Sequence, residues 1–142
     1  LILWPGYCTT HVLISQDDIV NAKRQDPDAV VIAHPECSEP VKGMADAILS
    51  TGQMVKFVQS SPAKCFIVAT EFGMIHPLKK VRPDAQFIPA GTRGICPNMK
   101  KITVEKLLAS LENLQYPIEV PDEIRLKAAR ALQRMVDVRP GN

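Results

Sequence analysis

An imidazole, a carboxylate and a thiol come in quick succession at His34, Glu36 and Cys37, closing the apolar run in "VVIAHPEC". Pro35 stiffens the segment, and alternation along an extended backbone sends His34 and Glu36 to the same side. A proton donor and a carboxylate base aimed at one substrate make an acid–base pair. A hydrogen-bonded loop histidine accounts for "HPE" alone equally well. Cys8 and Cys96 sit in loops containing Gly and Pro, "PGYCTTH" and "RGICPNMKK". Such loops can aim a thiolate at iron and steady its charge with backbone N–H groups, and they also accommodate a cysteine with no role. Cys65, beside Phe66 and Ile67, is expected to act as a small hydrophobe. Cys37 either joins the reactive pair or packs beneath it. Ser50 and Thr51 precede Gly52 at an expected helix start, where hydroxyls and free N–H groups bind a phosphate or carboxylate, or cap the helix. Taken alone, His76 before Pro77 reads as structural and Met99 as core filler. The pairs Lys79-Lys80 and Lys100-Lys101 read as solvated surface.

Composition narrows the class. The chain has 142 residues, 46% of them hydrophobic, enough for one domain with a core or for part of a larger protein. A net charge of +2 without a Lys/Arg block gives no case for nucleic acid, and no apolar run reaches the length of a membrane helix. None of the four cysteines belongs to a C-x-x-C pair, so a zinc ribbon, a thioredoxin motif and ferredoxin-type spacing are unsupported. Secreted disulfide scaffolds are denser in cysteine, so an intracellular chain with free or metal-ligating thiols is expected. "LILWPGYC" opens inside a strand-like run with neither Met nor a signal sequence, which leads us to expect a missing N-terminal part.

The elements that must position these residues alternate. Leu1–Trp4 reads as a strand end broken by Pro5-Gly6. Ser15 caps an expected helix over Asp17–Gln25, with acids in its first turn. Ala29–Ala33 and Lys64–Thr70 are continuous apolar runs of the kind buried on both faces of a sheet. Val41–Ser50 and Gly52–Gln59 look helical, Pro77–Val81 is a short helix and Gln86–Pro89 a short strand. Thr103 caps a helix through Leu114. Pro121 and Asp122 open the last one, whose apolar stripe is Ile124, Ala128, Ala131, Leu132 and Met135. Gly141 closes the tail. Strands alternating with helices predict an α/β fold, a parallel sheet with helices on both faces. Ligands of such sheets bind beyond the carboxyl ends of the strands, where Cys8, His11, His34, Glu36, Glu71 and Cys96 all fall.

Taken in order and spacing, "GYCTTH", "AHPEC", "ADAILSTGQM", "ATEFGM" and "CPNMKKIT" resemble the C-terminal part of quinolinate synthase, an iron–sulfur enzyme of de novo NAD biosynthesis. The resemblance implies a cytoplasmic transferase that condenses iminoaspartate with dihydroxyacetone phosphate, losing phosphate and water. Iminoaspartate would be supplied by L-aspartate oxidase or aspartate dehydrogenase, with no nucleic-acid or membrane partner. It implies three αβα sandwich domains in pseudo-threefold arrangement, each giving one cysteine to a [4Fe–4S] cluster whose fourth iron meets substrate as a Lewis acid. By motif, Cys8 and Cys96 match the second and third ligands, whereas Cys37 and Cys65 match none. His34 matches the substrate-binding histidine and Glu36 the acid–base glutamate. Ser50 and Thr51 match hydroxyls that hold a substrate carboxylate or phosphate, and Met99 matches a residue lining the pocket. His11 matches a supporting position behind Cys8. The first ligand is absent here, and the extra cysteines that some relatives carry before the third are missing too. The expectation is a fragment inactive alone. Residues 1–11 would end the second domain, 12–96 form the third, and 97–142 supply helices packing toward the first, leaving an exposed apolar stripe on the last helix.

Two other classes fit the residues taken singly. One is a non-catalytic α/β domain that binds a small anion through Ser50 and Thr51. The other is a zinc hydrolase using Cys8, His34 and Cys96.

Overall fold

The computed structural model describes residues 5–138. The strand expected over Leu1–Trp4 and the tail at Gly141 lie outside the described residues. Residues through Lys100 form one compact unit, and those from Lys101 onward a second.

Four strands of the first unit, β1 (Val30–Ala33), β2 (Ala47–Ile48), β3 (Cys65–Ala69) and β4 (Gln86–Pro89), form a parallel sheet in the order β2-β1-β3-β4. The central pair runs in register from Val30 opposite Phe66 to Ala33 opposite Ala69. Because successive side chains leave opposite faces, these strands build two cores. Val31, Ala33, Ile67 and Ala69 pack against Ile19 and Ala22 of helix α2 (Gln16–Lys23) and Val41 of helix α3 (Glu39–Lys42). Ile32, Phe66 and Val68 pack against Met54 and Val58 of helix α4 (Thr51–Ser60), and Ile75 and Leu78 of helix α5 (Ile75–Val81). Burial on both sides is why these strands read as unbroken apolar runs. The expected α/β architecture is present.

The helix starts follow local chemistry. Ser15 caps α2, its backbone N–H donating to Asp18 Oδ2 at 2.8 Å while Asp18 N–H donates to Ser15 Oγ at 3.4 Å. At α4 the Ser50 N–H donates to Gln53 Oε1 at 2.8 Å. Pro77 lies in the first turn of α5, where no N–H is needed.

The helix expected over Val41–Ser50 does not form as such. Helix α3 begins at Glu39 with Pro40 in its first turn and ends at Lys42, and the chain then becomes the edge strand β2. The backbone of β1 competes successfully for these residues. Val31 N–H donates to Asp46 Oδ2 at 2.7 Å, Asp46 N–H to Val31 O at 2.8 Å, and Leu49 N–H to Ala33 O at 2.8 Å. Sheet pairing satisfies the otherwise open edge of β1, and this tertiary gain overrides the helical leaning of Ala, Met and Ile.

In the second unit Thr103 caps helix α6 (Val104–Asn113), its hydroxyl accepting the Lys106 N–H at 3.3 Å. Leu114 ends that helix in the left-handed region at φ 51°. Helix α7 (Asp122–Asp137) follows Pro121. Its Ile124, Leu132 and Met135 are each more than half exposed. No helix among the described residues is long and apolar enough to cross a membrane.

Candidate functional site

The site lies beyond the carboxyl ends of the strands, where a parallel sheet places its ligands. There β1 runs into His34 and Glu36, β3 into Thr70 and Glu71, β2 into Ser50 and Thr51, and β4 into the loop that carries Cys96. The loops are tied across the sheet end. His34 N–H donates to Ala69 O at 3.0 Å and Phe72 N–H to Gly94 O at 2.7 Å. A Cβ on Gly94 would fall 2.9 Å from Thr70 O, so only glycine lets the Cys96 loop lie this close to the end of β3.

A cavity of about 350 Å³ opens here, lined among others by His11, His34, Glu36, Thr51, Glu71 and Met99. A hollow of about 380 Å³ beside Asp18 and Gly91 is slightly larger, but neither thiol nor imidazole lines it, so the chemistry favours the first.

Helix α1 (Thr9–Val12), with Cys8 at its N-cap, buries His11. The His11 ring stacks on His34 with centroids 4.4 Å apart, and its Nε2 lies 2.9 Å from Thr70 Oγ1. Its Nδ1 is 3.2 Å from Glu36 Oε2, close enough to attract but without hydrogen-bond alignment, so Nδ1 is a buried polar atom with no hydrogen-bond partner. Burial, and then the neighbouring His34, hold the His11 imidazole below its ordinary pKa, against the pull of Glu36 and Glu71. On His34 the Nδ1 accepts the Glu36 backbone N–H at 3.2 Å. A neutral His34 therefore carries its proton on Nε2, leaving that atom as donor. The Glu36 side chain is about half exposed.

The thiols divide by environment. Met99 N–H, then the Thr10 hydroxyl and Asn98 N–H, hold Cys96 below the ordinary thiol range. Thr10 is two residues from Cys8, so it joins the two cysteine loops. Cys37 is buried, donates to Ala69 O at 3.2 Å and is pushed up by that burial. Cys65 is pushed up to about 11 by burial and then by Asp26. Polarised donors around a loop thiolate are what an iron–sulfur ligand requires. Cys96 has that setting, and Cys37, inert and packed beneath, does not.

The structure gathers His11, His34, Glu36, Thr51 and Met99 around the cavity. Cys8 does not line it, but its Sγ lies within 4.8 Å of donor atoms of both His11 and Glu36. Cys96 is linked through Thr10 and through its N–H, which donates to Glu71 Oε1 at 3.2 Å. Ser50 is the residue before the lining Thr51, and its N–H is already taken by Gln53. Among the described residues the clustered donor set is Cys8, His11 and Glu36, which differs from the zinc set Cys8, His34 and Cys96.

Residues outside the expected catalytic, binding and ligand assignments complete the site. Glu71 is buried and accepts from Gly73 N–H at 2.7 Å and Cys96 N–H at 3.2 Å, with Lys100 Nζ 2.9 Å from its Oε1. Burial alone would raise its carboxyl, but Lys100 and the two N–H groups outweigh that and lower it. Lys100 is thus a structural partner at the cavity rather than free surface. The available signal was an acid directly after a buried strand.

The chain resembles known proteins along nearly its whole length. The family model described as quinolinate synthetase A protein matches residues 1–137. The chain is similar to quinolinate synthase of Dehalococcoides mccartyi strain CBDB1, 51% identical over 97% of this chain and 46% of the relative. It is 46% identical to that of Thermodesulfovibrio yellowstonii, over 96% of this chain and 45% of the relative. Quinolinate synthase 1 of Methanosarcina acetivorans is 42% identical over 98% of this chain and 46% of the relative. The chain spans about half the length of the curated relatives it matches.

Proposed function

The chain belongs to the quinolinate synthetase A family, and from that premise we propose that it carries two of three cluster ligands and much of the substrate pocket of a quinolinate synthase. The complete enzyme would be a cytoplasmic transferase condensing iminoaspartate with dihydroxyacetone phosphate to quinolinate. L-Aspartate oxidase or aspartate dehydrogenase would supply the unstable imine. Cys8 and Cys96 would hold a [4Fe–4S] cluster, with the first cysteine ligand and the first domain outside these 142 residues, so that this segment alone would be inactive. When bound, the cluster supplies a Lewis acid that eases loss of water.

The chain's own residues supply the rest. His34 offers its Nε2–H to a substrate oxygen, because its Nδ1 is occupied by the Glu36 N–H. The half-exposed carboxylate of Glu36 takes and returns protons in the imine–enamine and ring-closing steps. His11, fixed by Thr70 and stacked on His34, holds that ring in place. The Thr51 hydroxyl and the start of α4 present donors to a carboxylate or phosphate, with Ser50 beside them. Met99 lines the cavity as an apolar wall residue.

The observation that supports this reading most is the convergence of His11, His34 and Glu36 on one cavity beside Cys8. Anaerobic cluster reconstitution of the complete protein tests it. Cys8→Ser and Cys96→Ser should each lose the cluster absorbance, and Glu36→Gln should keep the cluster but not form quinolinate. Full cluster loading in Cys96→Ser, or full activity in Glu36→Gln, would remove the corresponding role.

A further inference from the structure

Three donors of different chemistry cluster beside the cavity: Cys8 Sγ, a ring nitrogen of His11 and a carboxylate oxygen of Glu36, all within 4.8 Å of one another. The His11 ring is buried, its Nε2 is engaged by Thr70 Oγ1 at 2.9 Å, and its Nδ1 has no hydrogen-bond partner. That Nδ1 lies 3.2 Å from Glu36 Oε2. Nitrogen and oxygen ligands on one tetrahedral ion, at bond lengths of ~2.0–2.1 Å, stand about 3.3 Å apart. The pair therefore already has the spacing of two ligands on one metal. In the tautomer whose Nε2–H donates to Thr70, Nδ1 presents its lone pair, and an outer hydrogen bond of this kind is what orients a metal-binding histidine. His34 is not a competitor through Nδ1, which takes the Glu36 N–H.

We propose that Cys8 Sγ, His11 Nδ1 and Glu36 Oε2 form a three-donor site for a single divalent transition-metal ion, Zn²⁺ or Fe²⁺, with the fourth position open to the cavity. Thiolate, imidazole and carboxylate together match such borderline ions, whereas Mg²⁺ and Ca²⁺ take oxygen ligands. The site itself is independent of the synthase reading. One consequence rests on that reading: Cys8 cannot serve both centres, so a lone ion bound here excludes the cluster and also occupies the Glu36 carboxylate.

Cobalt tests this in the complete protein, purified anaerobically and stripped of iron. Titration with Co²⁺ should give one equivalent of binding, with a thiolate-to-cobalt charge-transfer band and the intense visible bands of tetrahedral coordination, and Zn²⁺ should bleach both. Cys8→Ser should lose the charge-transfer band. Glu36→Gln changes only the carboxylate of a half-exposed side chain, and should weaken binding by about tenfold or more, at least what an outer-shell change costs. Cys96→Ser should bind cobalt as the parent does. A charge-transfer band that survives Cys8→Ser, unchanged affinity in Glu36→Gln, or loss of the spectrum in Cys96→Ser would each overturn the site. The synthase reading fails by a different result, a cluster that loads fully in Cys96→Ser.

Discussion

His11 and His34 lie face to face, with ring planes inclined by 16° and centroids 4.4 Å apart. Two imidazolium rings at this separation would repel each other. His11 is held below its ordinary value of 6.5, first by burial and next by His34, while Glu36 pulls the other way. His34→Ala should therefore raise the His11 pKa without restoring it fully, and Glu36→Gln should lower it further. Ring-proton NMR of the metal-free protein checks both, and identical titrations in parent and His34→Ala would sink the coupling. The linkage has a definite sign. Between the folded value and 6.5 the unfolded chain holds a proton that the folded chain lacks. The His11 contribution to stability thus declines as pH falls below 6.5 and levels off beneath the folded value.

Glu71 pins the Cys96 loop. Its carboxylate takes two backbone N–H groups and faces Lys100, all at a buried position. Glu71→Ala leaves those donors without their acceptor and should cost about 2 kcal/mol. Glu71→Gln, which retains one acceptor oxygen, should cost roughly half as much. Denaturant titration of both variants is the measurement, and equal losses would show that packing rather than hydrogen bonding is at stake.

The parts of this architecture visible in the sequence were those dictated locally. Val30–Ala33 and Cys65–Ala69 are apolar because helices cover both faces, and Ser15 and Thr103 are caps whose partners lie within three residues. What stayed hidden depends on distant partners. Ala47–Ile48 becomes a strand through its pairing with β1, which no local propensity reports. Lys100 looked like surface because Glu71, its partner, is 29 positions away (100 − 71). His34 and Glu36 were legible as a pair, but the third member of their contact, His11, arrives from a separate helix.

A second, partly buried acid links residues far apart in sequence. Asp18 Oδ2 accepts from Ser15 N–H at 2.8 Å and from Arg93 at 2.9 Å. Burial alone would raise its carboxyl, but the Ser15 bonds and Arg93 lower it below 3.8. This depressed group stabilises the fold at pH above 3.8, and its contribution is lost as pH falls through the folded value. Asp18→Asn should cost about 1 kcal/mol near neutral pH and flatten that part of the acid limb. Arg93→Ala should cost less, because the guanidinium is half exposed and screened. Acid unfolding curves that superimpose for parent and Asp18→Asn would contradict this.

Gly91 is constrained by the same carboxylate. Its φ is +75°, and a Cβ there would lie 2.5 Å from Asp18 Oδ1. Gly91→Ala combines left-handed strain with a clash, so a loss of about 2 kcal/mol is expected. Pairing it with Asp18→Ala should recover the steric part only. If the single variant unfolds at the parent's midpoint, this turn is not under the stated constraint.

Thiol chemistry separates the cysteines of the candidate site from those that only pack. Cys96 is held below the ordinary range by Met99 N–H, the Thr10 hydroxyl and Asn98 N–H, and it is partly exposed. Cys37 is buried, donates to Ala69 O and is pushed up by its surroundings, while Cys65 stands at about 11. Alkylation needs both thiolate and access. In the metal-free native protein, iodoacetamide at pH 7.5 should therefore modify Cys96 well before Cys65, and Cys37 only on unfolding. Peptide mass mapping across a time course reads each site separately. Thr10→Val removes one donor from Cys96 while keeping the side-chain volume, so it should slow alkylation there and leave Cys65 unchanged. Labelling of Cys37 at the rate of Cys96 would mean that the floor of this site opens readily, and the division between a working sulfur and a packed one would no longer stand.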